Sequence, residues 1–260
     1  MKNNSKKFTI LVGVLVALIA FAALIIHNYK TKTSFKYAAE NAAESSSEKN
    51  PQDKVESSVT AAAAALEESR KNSELLKILP SDFVVGDKNA PVLVIEYASL
   101  SCPHCASFAR ESFEKLKTDY IDSNKVKFVF RNFPLNQAAL SAAMFATCQA
   151  QDEKLQATEK YYSTVKALFK TQDSWAFDEK YIDKLEAISK LDGMSSESFK
   201  SCINNEELRE KFLTQRIETS KVLQLKSAPT FFVNGEISEG YNDYETIKKL
   251  VEKKLNEVKK

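Results

Sequence analysis

Ser101-Cys102-Pro103-His104-Cys105 lies between an aliphatic run and a helical stripe, and this junction constrains the chain more than any other feature. The run before it, Val92-Leu93-Val94-Ile95 after Pro91, is continuous, aliphatic and partly β-branched, the pattern of a strand buried on both faces. The stretch after it, 103–121, reads as helix. Counted from Cys105, the residues Phe108, Ala109, Phe113, Leu116 and Tyr120 recur at helical spacing, so Cys105 begins a buried stripe. Cys102 falls one turn earlier, near the N-cap, with Pro103 at a first-turn position where its missing N–H is no loss. The Cys102 sulfur is expected to face solvent. Unpaired N–H groups and the helix dipole favour an anion there, so Cys102 should ionise readily and act as a nucleophile. Cys105, below it, is placed to attack or release a mixed disulfide formed on Cys102.

The rival reading of C-x-x-C is half of a zinc site. Structural zinc sites usually join two such dyads or add closely spaced histidines. This chain has four Cys and two His in all: Cys148 and Cys202 stand alone, and His27 sits beside an apolar N-terminal run. Copper capture by the pair has only His104 nearby to support it. The exchange reading needs no metal and no cofactor. A chain of 260 residues buries a core without disulfides to compensate for small size, so the cysteines call for a chemical explanation.

Charge narrows the partners. Basic and acidic residues number 37 and 35, and five of the basic ones (Lys2, Lys6, Lys7, Lys30, Lys32) flank the apolar run, which leaves the remainder slightly acidic. Without a concentrated positive field, nucleic acid is not expected as a partner.

Phe8 to Ile26 is uncharged and follows three lysines. It is long enough to cross a hydrocarbon core of about 30 Å, so residues 1–30 read as a membrane anchor or a signal peptide, with Ala20, Ala22 and Ala23 leaving cleavage open. Residues 31–54 are rich in Ser, Glu, Lys, Asn and Ala and read as a disordered tether. In 55–78, Val55, Val59, Ala62, Leu66 and Leu76 fall on a 4-3 spacing that Ser69 and Ser73 interrupt. That segment is either a stalk helix for self-association or a single solvated helix. Together, 31–79 form a tether region.

The folded part is expected to start near Pro80. A second buried strand spans Val126–Phe130 and ends at Asn132-Phe133-Pro134. A nearly all-helical stretch covers 135–225, with Tyr161, Tyr162, Phe169, Trp175 and Phe177 as its core aromatics. Pro229-Thr230-Phe231-Phe232-Val233 and Glu236-Ile237, joined by Asn234-Gly235, read as a hairpin, and a last helix starts at Asp243. The order implies an α/β sheet domain, 80–134 and 226–260, interrupted by a helical insertion.

Val94-Ile95-Glu96-Tyr97, Cys102-Pro103-His104-Cys105, Phe130-Arg131-Asn132-Phe133-Pro134-Leu135 and Ala228-Pro229-Thr230-Phe231-Phe232 occur in that order. Over roughly residues 80–258 the chain resembles the DsbA-type thiol-disulfide oxidoreductases, thioredoxin-fold proteins with an inserted helical domain. The resemblance implies roles residue by residue. Cys102 is the attacking cysteine, Cys105 the buried resolving one, and His104 helps stabilise the Cys102 thiolate. Glu96 is a buried acid that exchanges a proton with Cys105; the alternative on the residues alone is an acid that meets a lysine or marks the solvent end of the strand. Pro229, trans on base rate alone, is implied to be cis and to face the cysteines, with the backbone of Ala228 pairing to substrate. Many relatives carry Thr or Val in place of Ala228.

The implied reaction is donation or rearrangement of disulfides in reduced or misoxidised exported proteins, in the periplasm, with a membrane partner for reoxidation. An isomerase or reductase is the same chemistry with another electron partner. From a different class, a non-catalytic metal-binding or protein-docking module is the alternative. Cys148 and Cys202, left over in an exported protein, are expected to pair in a second disulfide, as some relatives do; the other possibility is two buried free thiols.

Overall fold

The computed structural model describes residues 71–259 apart from residues 73, 152–155 and 241. The apolar run 8–26, the tether 31–54 and residues 55–70 of the possible stalk lie outside the described residues. Among the described residues no helix is long and apolar enough to cross a membrane.

A five-stranded sheet carries the fold, in the order β1-β3-β2-β4-β5. Its central strand β2, Val92–Ala98, is the aliphatic run and is buried almost throughout. On one side it pairs in parallel with β3, Val126–Asn132, and on the other antiparallel with β4, Thr230–Val233. Two edges complete the sheet: β1, Val84–Val85, antiparallel to β3, and β5, Glu236–Glu239, antiparallel to β4. The β4–β5 hairpin turns at Asn234 and Gly235, both at positive φ, as a two-residue hairpin loop requires.

β1 and β3 depart from the sequence reading, and β2 and β5 run past Ile95 and Ile237 to Ala98 and Glu239. β1 has only two residues, too few for any periodicity to appear. It is followed by Gly86 at φ +97°, where an added Cβ would meet the Val126 main-chain oxygen and Ile121 at 2.8 Å. β3 runs past Phe130 to Asn132 because Arg131 is neutralised inside the fold. Its guanidinium meets both oxygens of Asp82 at 2.7–3.0 Å and the Tyr97 hydroxyl at 2.7 Å, and it donates to the carbonyls of Leu75 and Lys77. These contacts carry the fold back beyond Pro80 to Leu75, whose oxygen also accepts from the Tyr97 hydroxyl.

Between β2 and β3 runs one helical stretch, α1, over 103–121. It starts as α-helix at Pro103–Ser107 and has two π-helical turns, Phe108–Ser112 and Lys117–Ile121. Its apolar stripe packs on the sheet through Phe108 against Phe231, ring centroids 4.6 Å apart, and Phe113 against Phe128 at 4.9 Å. The last helix, α7, Tyr244–Val258, is capped by the Asp243 side chain and lies beside α1, where the Tyr120 hydroxyl donates to Glu252.

The intervening helices are α2, Gln137–Gln151; α3, Ala157–Lys170; α4, Tyr181–Leu191; α5, Ser196–Ile203; and α6, Glu206–Val222. Cys148 on α2 and Cys202 on α5 are joined by a disulfide. Trp175, Tyr161 and Phe169 are core residues, with Tyr162 partly buried against them. Phe177, expected with them, is instead 70% exposed: Trp175 and Ala176 take the inward positions after the short Gln172–Ser174 turn, and the chain turns outward at the next residue.

Candidate active site

Cys102 occupies the N-cap of α1 in extended conformation, with Pro103 in the first turn. The backbone N–H groups of His104 and Cys105 point to its sulfur. In contrast to the expectation of a solvent-facing sulfur, the residue is only 6% exposed. The cause is long-range: the Ala228–Pro229 loop, with a cis peptide bond, folds over the dyad, and the Cys102 thiol donates to the Ala228 main-chain oxygen at 3.2 Å. Local helix-end geometry cannot report that cover.

The two thiols titrate in opposite directions. A hydrogen bond from the Cys105 thiol is the largest influence on Cys102; burial opposes it, while the two backbone N–H groups and the His104 charge assist, and the thiol is pulled down to about 6. Burial, first, and then donation to Cys102 push Cys105 well above the ordinary thiol range. One sulfur is a nucleophile near neutrality and the other holds its proton.

Glu96 lies on the central strand, in register with Phe130 on β3 and Phe231 on β4. It is 3% exposed and its Oε1 has no hydrogen-bond partner. It therefore neither marks a solvent end nor meets a lysine. Burial, reinforced by charge on Cys102, pushes its carboxyl well above the usual carboxylate range, and it faces Cys105 electrostatically. The fold thus gathers Glu96, Cys102, His104, Cys105, Ala228 and Pro229 in one place. Cys148 and Cys202 are spent on the disulfide between α2 and α5. Among the described residues no group of three or more His, Cys, Asp or Glu side chains is placed to hold a metal ion.

Gln172 escaped the sequence reading. Its side-chain amide, reaching out from the insertion, donates to the main-chain oxygens of Leu100 at 2.7 Å and Cys102 at 3.1 Å, with the residue fully buried. It fastens the loop before the dyad to the helical layer. A lone glutamine in a helical stretch carries no local mark of such a contact. Ser99 works beside it: its carbonyl accepts from the Cys102 N–H, and its hydroxyl meets that of Ser101.

The thioredoxin family model matches residues 79–253. A Rickettsia conorii chain named as a protein-disulfide oxidoreductase is 35% identical over 183 residues, covering 70% of this chain and 64% of that relative. A Rickettsia felis chain of the same description is 31% identical over 85% of this chain and 78% of its own length. Wolbachia pipientis alpha-DsbA1 superposes with a TM-score of 0.64 at 32% identity, over 71% of this chain and 96% of that one. The chain belongs to the DsbA-like protein-disulfide oxidoreductases of the thioredoxin family. The fold is accordingly thioredoxin-like with a helical insert, and the C-x-x-C pair of this DsbA-like chain is Cys102–Cys105. Oxidised BdbD of Bacillus subtilis, at 24% identity and a TM-score of 0.58, shares the fold.

Proposed function

We propose that the protein transfers the Cys102–Cys105 disulfide to thiols of substrate proteins outside the cytoplasm. A substrate thiolate attacks the Cys102 sulfur, a mixed disulfide forms there, and Cys105 leaves with both electrons of the broken bond. Glu96, neutral in its buried setting, supplies the proton that makes Cys105 a thiol. A second substrate thiolate then attacks the substrate sulfur of the mixed disulfide, releasing a substrate disulfide and the Cys102 thiolate. Two electrons pass to the enzyme, and a membrane redox partner takes them up in turn. The single observation that carries this reading is the split between the dyad's sulfurs: Cys102 is lowered to about 6 at the helix end, and Cys105 is raised beneath it.

The direction of transfer follows from how far Cys102 is lowered. A stable thiolate stabilises the reduced enzyme and makes its disulfide the better oxidant. Thioredoxin pairs a thiol pKa of about 7 with a potential of about −270 mV, and DsbA pairs about 3.5 with about −120 mV. A Cys102 thiol lowered to about 6 moves this dyad in the same sense, toward the oxidant. The Cys148–Cys202 bridge supports an oxidising compartment, and the run 8–26 is the element that would deliver or anchor the chain there.

Mixing oxidised protein with reduced, unfolded ribonuclease tests the reading. Substrate thiols should disappear as enzyme thiols appear, and Cys102→Ser should abolish the transfer; Cys105→Ser, which has no disulfide to donate, should instead trap a mixed disulfide on Cys102 when mixed with disulfide-bonded, scrambled ribonuclease, the Cys102 thiolate attacking a substrate disulfide and a substrate thiolate leaving. Full transfer by Cys102→Ser would end the proposal.

A further inference from the structure

Disulfide exchange makes no use of a cavity of about 290 Å³ that lies beside the sheet between α1, β3 and α3. Six aromatic side chains line it: Phe108, Phe113, Phe128, Phe130, Tyr162 and Phe169. The first π-helical turn of α1 contributes by separating Phe108 from Phe113, whose N–H closes on the Phe108 carbonyl five residues back. Glu96 lines the same cavity from the central strand, 3% exposed and with Oε1 unpartnered.

Nothing else in the wall answers that carboxyl. The Tyr162 hydroxyl accepts from the Phe130 N–H at 2.8 Å and donates to the Phe83 carbonyl at 3.0 Å, so its hydrogen bonds are made elsewhere. Lys117 and Lys166 also border the cavity, but Lys117 is paired with Asp122 at 2.6 Å and Lys166 with Glu114 at 2.5 Å. Glu159 lies at the exposed rim of α3. On the other side Glu96 faces Cys102 and Cys105 from the start of α1.

We propose that this cavity is a binding site for a small organic ammonium ion, held by the aromatic faces and by the Glu96 carboxylate. Aromatic faces carry the negative end of the ring quadrupole and attract a cation whose hydration is weak. Hydrated inorganic cations need several oxygen ligands converging on one point; of the other carboxylates that border the cavity, Glu114 is paired with Lys166 and Glu159 lies at the exposed rim, and among the described residues no three such side chains are placed to hold a metal ion. Anions would meet the carboxylate. A neutral apolar guest would fill the volume and leave Oε1 unpaired, at the cost of an unsatisfied buried acceptor. The cavity lies at the lower end of the about 300–1,000 Å³ usual for ligand pockets, which limits the guest to a compact alkylated amine. An ammonium guest converts Glu96 from acid to carboxylate, so binding releases its proton to solvent.

Binding in this cavity does not require the redox role proposed for Glu96, and binding and disulfide transfer have separate readouts. The oxidised full-length protein is titrated at pH 7 with tetramethylammonium chloride, with tert-butanol as an uncharged guest of similar shape and sodium chloride as the salt control. Calorimetry in two buffers of different ionisation enthalpy counts protons. Expected are saturable one-site binding of the cation, at least about tenfold weaker binding of the alcohol, and release of about one proton per cation bound. Glu96→Gln should weaken the cation about tenfold or more and leave the alcohol unchanged. Equal binding of cation and alcohol, binding without proton release, or no saturable binding would each overturn the proposal. If Glu96→Gln does not fold, the two guests and the proton count on the unmodified protein still decide it.

Discussion

The Cys102 thiol donates to the main-chain oxygen of Ala228 at 3.2 Å, across 126 residues of chain. That bond exists only while the sulfur is protonated. Once ionised, the sulfur relies on the Cys105 thiol and on the N–H groups of His104 and Cys105. The carbonyl can pair only with the thiol, whereas the Cys105 thiol above all, and then the helix-end N–H groups and the His104 charge, hold the thiolate against burial and bring the group down to about 6. The alkylation rate of reduced protein by iodoacetamide should therefore rise with a midpoint near pH 6 and be level by about pH 8, where an ordinary thiol with a pKa of about 8.5 is still rising. A midpoint above pH 8 would refute the assignment.

The order of influences on Cys102 is testable by substitution. Its largest stabiliser is the hydrogen bond from Cys105, and the His104 charge comes last. Cys105→Ala should move the alkylation midpoint upward by more than His104→Ala does. Cys105→Ser, which keeps a donor, should lie between Cys105→Ala and the unmodified protein. A larger shift from His104→Ala would reverse the electrostatic account and give the histidine the main role.

Glu96 makes stability depend on pH in a defined direction. Its carboxyl is raised in the folded state, so between the unfolded value, about 4.3, and the folded one the native protein binds more protons than the unfolded chain. Stability contributed through this group falls as pH rises across that window. Thermal unfolding of oxidised protein and of Glu96→Gln should differ least near pH 4, and the variant should gain on the unmodified protein as pH rises to 7. A difference that stays flat over that range would mean that Glu96 is not held as the acid.

The contrast between Cys102 and Glu96 marks how far a sequence can be read. Strand, proline and helical stripe around Cys102-Pro103-His104-Cys105 are local signals, and each became the expected element. The Asn234-Gly235 turn and the helix start at Asp243 were legible for the same reason: their chemistry is complete within a few residues. The cover on Cys102 was not, because the loop that supplies it is distant in sequence. Glu96 within an aliphatic run pointed to a special acid, yet its lack of any partner depends on which rings β3 and α3 bring against it. Gln172 is the extreme case, a residue whose role lies wholly in tertiary contact with Leu100 and Cys102. The strand Val126–Phe130 reads two residues short for a related reason: what lets Arg131 continue it inside the fold is Asp82, 49 residues away.

That pair offers the strongest test of how the fold is anchored. The side chains of Arg131 and Asp82 are 1% and 5% exposed, with nitrogen and oxygen 2.7 Å apart. The remaining guanidinium hydrogens reach the Tyr97 hydroxyl and the carbonyls of Leu75 and Lys77, so one residue ties the segment before β1 to β2 and β3. Removing one member leaves a buried charge without its counterion, which typically costs about 3–5 kcal/mol, whereas replacing both with apolar residues is often neutral. Asp82→Ala should therefore lower the denaturant midpoint strongly and expose residues 75–79 to limited proteolysis. The double variant Asp82→Leu, Arg131→Met should recover most of the midpoint while keeping the protease sensitivity, because the Leu79 N–H has lost the Asp82 carboxylate in both variants and the Lys77 carbonyl loses its Arg131 donor in the double one. If Asp82→Ala costs less than about 1 kcal/mol, the typical worth of an exposed pair, the bridge is not buried as described and the segment is held by other contacts.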